Sequence, residues 1–115
     1  MSTDVQKIYA GQDLRVDFVA TDATGAPLDL TDGRVEVILE RRGRKPFYAR
    51  VTSEDPGAVQ WWERAQGTGV LTVPLKDASI PYGFIRMNIR AVTSDGQDEI
   101  QYDGVAKVLR SLARV

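Results

Sequence analysis

The sequence predicts an antiparallel β-sandwich of about seven short strands, and three observations lead there. Apolar residues recur at every second position in several runs, the period of a strand with one buried face. Clusters of Gly, Pro and Asp separate those runs at short intervals. No stretch carries the 3.6-residue apolar period of a long helix. A closed barrel of the OB type is the structural runner-up. The chain of 115 residues is long enough to bury one core without disulfide or metal staples. It reads as one domain over residues 1–115.

In chain order, residues 5–9 are expected as an edge strand ended by Gly11. Leu14, Val16, Phe18 and Ala20 then alternate with Arg15, Asp17 and Val19 in the first strong strand. Asp22, Gly25 and Pro27 supply a turn, because Gly tolerates positive φ and Pro presets it. Val35, Val37 and Leu39 alternate with Glu36, Ile38 and Glu40 over residues 34–40. Residues 47–52 are its hairpin partner across the turn 41–46. A short strand over residues 69–75 meets Pro74, which cannot donate to a central ladder. Ile85, Met87, Ile89 and Ala91 alternate with Arg86, Asn88 and Arg90. Asp95 and Gly96 read as the tight turn of a final hairpin. Its return covers residues 98–102 and 105–109, with a bulge expected at Asp103 and Gly104. Residues 58–66 admit a single helical turn, and residues 109–115 a strand extension or frayed turn. Leu14, Val16, Phe18, Val35, Val37, Leu39, Ile85, Met87 and Ile89 are the expected inward positions.

Composition narrows the function classes. With no cysteine, there is no disulfide framework or thiolate metal site. With no histidine, the commonest general base and metal ligand are missing. Nothing activates a serine or threonine hydroxyl, so no catalytic residue is assigned and an enzyme is not expected. Gly67 and Gly69 lack the lysine and strand-to-helix setting of a phosphate loop. Asp22, Asp29 and Asp32 flank one turn but match no dedicated calcium loop. Asp29 and Thr31 read better as caps of that turn, and no metal or cofactor is expected. No apolar run reaches the ~18 residues of a membrane span, and the first residues lack a signal-peptide core. The expected site of synthesis is therefore the cytoplasm, with no membrane partner.

The order of these signals resembles a known family. Gly11 and Asp13 open a strand at Leu14, and Pro27, Leu28, Asp29, Leu30, Thr31, Asp32 and Gly33 lead into the next. Thr68, Gly69, Leu71, Val73 and Leu75 form a spaced element. Tyr82 and Gly83 precede a strand to Arg90, and a final hairpin closes on Gly104 and Val108. This layout is similar to the immunoglobulin-like N-terminal domain of siphophage upper-baseplate adaptors and to related phage tail and neck modules. The resemblance implies an immunoglobulin-like sandwich in a virion structural protein, made in the host cytoplasm and docked in many copies on other virion proteins. Full adaptors continue into a helical linker and a receptor-binding-protein dock. This sequence stops at Val115, so it is expected to attach without carrying a further component. A capsid decoration protein and a free-standing ligand- or carbohydrate-binding module are the alternatives.

Two features are candidates for partner docking. Residues 1–40 hold eight acids and three bases, whereas residues 41–50 hold five bases and no acid. Arg41, Arg42, Arg44 and Lys45, with Arg50 beyond them, suit an acidic protein partner, with a solvated hairpin as the alternative. Nucleic acid would require a broader basic face with interleaved aromatics, and Phe47 and Tyr48 point to opposite faces of their strand. Trp61 and Trp62 are adjacent, so only one can face the core; the other lies over a sheet edge, anchors a partner or stacks on a sugar. Tyr9, Tyr82 and Tyr102 read as strand-end rings, buried with their hydroxyls on backbone. Copies are expected to be separate in free solution and to meet with ring symmetry on the particle. The seam would be the edge at residues 5–9, unless the C-terminal residues 109–115 close it.

Overall fold

A computed structural model describes residues 6–110; Val5 and residues 111–115, which belong to two of the expected elements, lie outside the described residues. The chain is an all-β sandwich. The strands are β1 (Gln6–Ala10), β2 (Leu14–Val19), β3 (Arg34–Arg41), β4 (Phe47–Thr52), β5 (Val59–Glu63), β6 (Thr68–Val73), β7 (Gly83–Val92) and β8 (Asp98–Arg110). A 3-10 turn, Arg64–Gln66, joins β5 to β6. One sheet has the order β1-β8-β7-β3-β4, and the other β2-β6-β5. The order β8-β7-β3-β4 against β2-β6-β5 is the immunoglobulin arrangement, with the hairpin partner β4 appended as in variable-type domains.

The inward phase of each strand is the one that alternation predicts. Leu14, Val16 and Phe18 of β2, Val35, Val37 and Leu39 of β3, and Ile85, Met87 and Ile89 of β7 all join one buried cluster. Strands β2 and β7, the pair that a disulfide bridges in antibody domains, carry only aliphatic and aromatic side chains inward. Aliphatic packing supplies what the absent cysteines would have tied.

Eight strands form among the described residues, in line with the seven or so expected: 59–63 adds one, and 64–66 is the single helical turn expected in that stretch. Three details need correction. Pairing is not wholly antiparallel, since β1 runs parallel to β8, matching Tyr9 to Leu109 and Ala10 to Arg110. Residues 109 and 110 thus close one side of β1, whose other side remains the sheet edge. The bulge falls at Gln101, not at Asp103 and Gly104: Ile89 pairs with Tyr102 and Arg90 with Ile100. The extra residue aims its amide at the loop after β2. The Thr21 N–H donates to Gln101 Oε1 at 2.9 Å, and Gln101 Nε2 donates to the Thr21 carbonyl at 2.9 Å. Finally, Tyr9 and Tyr82 are exposed rather than buried. Tyr102 is half-buried within β8 rather than at a strand end, but its hydroxyl does reach backbone, donating to the Val105 carbonyl at 3.2 Å.

The turn aspartates act as caps. Asp22 Oδ1 accepts from the Thr24 and Ala26 N–H groups, and Asp29 Oδ1 from the Thr31 N–H and hydroxyl. Both carboxyls are held below their ordinary pKa, first by the neighbouring threonine hydroxyls. These oxygens serve the local backbone, which is the reason for Asp at these positions.

Candidate docking end

The chain ascends β3, turns at 41–46 and descends β4, so the basic hairpin stands at one end of the sandwich. Its four cations have different neighbours. The Arg41 guanidinium donates to the Tyr82 carbonyl at 2.6 Å and ties the hairpin to the start of β7. Arg42 pairs with Glu40 at 3.0 Å on an exposed surface. Arg44 and Lys45 are exposed and project from the tip. Gly43 and Lys45 both have positive φ, which turns the chain sharply there.

Beside the tip the fold adds side chains that carry no motif of their own. Phe84 is 60% exposed and Tyr48 59%, and Tyr82 and Val105 are also exposed. Arg41, Arg42, Phe84, Arg86 and Val105, with Glu40 as the acid among them, line one shallow depression. Arg41, Arg42, Pro46, Phe47 and Tyr48 line a second on the other flank of the hairpin. Lys107 sits over the Phe84 ring with its ammonium 5.7 Å from the centroid. The end is therefore cationic with an apolar floor. A signal for Phe84 was present, because carrying the β7 alternation back from Arg86 places it outward.

The other candidates separate. Arg50 lies midway along the edge strand β4, where it grips Glu36 with two hydrogen bonds of 2.7 and 3.1 Å. Glu36 is only 5% exposed although it faces outward, covered by its neighbours across β4 and β7. The Arg50 hydrogen bond is the main cause that holds its pKa below the ordinary carboxylate value. A depressed folded pKa gives stability that is present above the unfolded value and lost as pH falls through the folded one. Asp103, bonded to Arg86, shifts the same way. Stability should thus fall as pH drops below about 4.5, and Glu36→Gln should flatten that slope. Urea titrations of both proteins at stepped pH would check it; parallel curves would remove the Glu36 contribution.

Both tryptophans sit on the three-stranded sheet, away from the hairpin. Trp61 is half-buried, edge-on to Phe18 with centroids 5.6 Å apart, and Arg64 covers its face at 4.5 Å. Arg64 also donates to the Leu30 and Gly33 carbonyls at 2.6 and 3.0 Å, so this cluster is structural. Trp62 occupies a bulge between Trp61 and Glu63 and is 55% exposed. A separate groove opens between β2 and β8, with Met87 and Ile89 among its lining and Arg15 and Asp17 as its charged groups.

The fold is a two-sheet β-sandwich with an immunoglobulin-like strand order, and its hairpin end is cationic with an apolar floor. Compared with known proteins, the chain matches no family model and no curated protein sequence. Among the described residues, no helix is long and apolar enough to cross a membrane.

Proposed function

We propose that this protein is a non-enzymatic structural module of a bacteriophage particle. It belongs to the tail, baseplate or neck and docks in many copies on other virion proteins through the hairpin end. One observation carries the docking reading: exposed Arg44 and Lys45 stand on the hairpin whose Arg41 and Arg42 share shallow depressions with exposed Phe84, Tyr48 and Val105. Such a surface combines electrostatic steering with area to desolvate, and it fits an acidic protein neighbour. The phage setting rests on the resemblance of the strand and turn layout, and the immunoglobulin-like sheet order is compatible with it.

Arg42→Glu/Arg44→Glu in a phage carrying this gene tests the reading. Incorporation should fall at least about tenfold, the equivalent of ~1.4 kcal/mol of contact energy. The isolated variant should melt within about 4 °C of the parent, as expected for exposed substitutions. Full occupancy on the particle would leave the hairpin a solvated loop. A loss caused instead by Trp62→Ala would transfer the role to the opposite sheet and favour a ligand-binding module.

A further inference from the structure

The outer face of the five-stranded sheet carries exposed apolar side chains toward both ends, set among charged ones, and not only beside the hairpin. Phe84, Val105 and Tyr48 stand on its upper half, and Ile100 is exposed on its lower half. Ile38, half-buried, lies between them on β3. Six charged groups on this face are paired within it, while Lys107 stands over the Phe84 ring instead. Arg86 meets Asp103 at 3.1 Å, Arg50 meets Glu36 at 2.7 Å and Arg90 meets Asp98 at 3.4 Å. Covering a pre-formed ion pair avoids stranding a lone charge, and the exposed apolar side chains around the pairs must offset the cost of desolvating them.

The ends of this face carry opposite charge. Arg42, Arg44 and Lys45 crown the upper end. At the lower end Asp29, Asp32 and Asp95 line one recess beneath the turns 29–33 and 93–97. Arg34 starts β3 at that end, while Arg64 is engaged with the Leu30 and Gly33 carbonyls. The molecule measures 40 × 26 × 23 Å, so its long face can supply the roughly 800 Å² per partner of a standard interface.

We propose that this face pairs with the same face of a second copy, turned end for end about a two-fold axis near Ile38. In that arrangement the basic hairpin of each copy meets the acidic turns of the other, and Phe84 and Val105 approach the partner's Ile100. The contact is isologous and closes as a dimer. It rests on the docking reading above and deepens it, adding a second copy of this chain to the acidic neighbours that the hairpin end meets. It also moves the expected seam from the β1 edge to the sheet face, where the uncovered apolar area lies.

Sedimentation equilibrium of the purified chain, from low micromolar to submillimolar concentration at low salt, tests the pairing. A monomer–dimer equilibrium that weakens with salt is expected. Val105→Glu should remain monomeric while keeping the parent's circular dichroism, and Phe84→Ser should do the same. Arg42→Glu/Arg44→Glu and Asp32→Lys/Ser94→Lys should each be monomeric alone, because like charges then face each other at both ends. An equimolar mixture of the two should dimerise again. A monomeric parent, a ladder of larger species, a dimer indifferent to Val105→Glu, or a mixture that stays monomeric would each overturn the pairing. A monomeric parent whose Arg42→Glu/Arg44→Glu variant still fails to enter particles would sink self-pairing alone. A dimeric parent whose variant incorporates normally would sink the docking reading instead.

Discussion

Phe18→Ala is expected to lower the unfolding free energy by about 3–5 kcal/mol, the range for removing a large ring from a packed core. Phe18 is the inward residue near the end of β2, and its ring is the edge partner of Trp61. Removing it opens a void between the two sheets and takes away an aromatic contact worth about 0.5–1.5 kcal/mol beyond area alone. The loss should show in urea denaturation as a lower midpoint at unchanged slope. Trp61 emission should shift to the red as its ring loses cover. A loss below about 1.5 kcal/mol would mean that the sheets close over the gap, as cores do only when backbone can follow.

Gly67→Ala should cost at least about 3 kcal/mol, well above a plain left-handed penalty of roughly 1–2 kcal/mol. Gly67 caps the 3-10 turn at φ 70° and ψ 26°. A Cβ there would lie 2.7 Å from the Leu28 carbonyl oxygen and 3.0 Å from that of Ala20. Neither oxygen moves freely, because the Ala20 N–H donates to the Gly67 carbonyl and the Leu28 N–H to the Ala20 carbonyl. Gly25→Ala is the control. Gly25 has φ 87°, but a Cβ there would meet nothing within 4 Å, so this variant should show only the conformational penalty. Thermal denaturation of the two variants separates the terms; equal losses would assign the whole effect to φ.

The acid sensitivity expected from Glu36 and the assembly defect expected from Arg42 and Arg44 have different physical origins. One depends on a carboxylate covered on the sheet face, the other on cations that keep their water until a neighbour arrives. Stability measurements should see the first and hardly register the second.

Alternation at β2, β3 and β7 was enough to place the core, because a side chain's face depends only on its parity along an extended strand. The Asp29–Thr31 cap and the turn at Gly96 were legible for a similar reason, since both are satisfied within a few residues. The basic hairpin was legible as charge. Its apolar floor was not, because Phe84 and Val105 reach it from strands that are distant in sequence. Nor could parity reveal which tryptophan packs, since the answer lies in Phe18 and Arg64 on other elements. The Gln101 bulge was misplaced because the turn-like Asp103 and Gly104 outweighed a glutamine whose partner, Thr21, lies 80 residues away.

By itself, then, the sequence determined which residues turn inward, where the chain reverses and where positive charge concentrates. All three follow from local periodicity, from the φ preferences of Gly and Pro, and from composition. The tertiary structure decided the parallel docking of β1 on β8, the burial of Glu36 beneath Arg50, and the meeting of hairpin cations with exposed rings at one end. Those outcomes depend on strand order and register, which arise when separate strands compete to cover one another's apolar faces. No single strand carries that information.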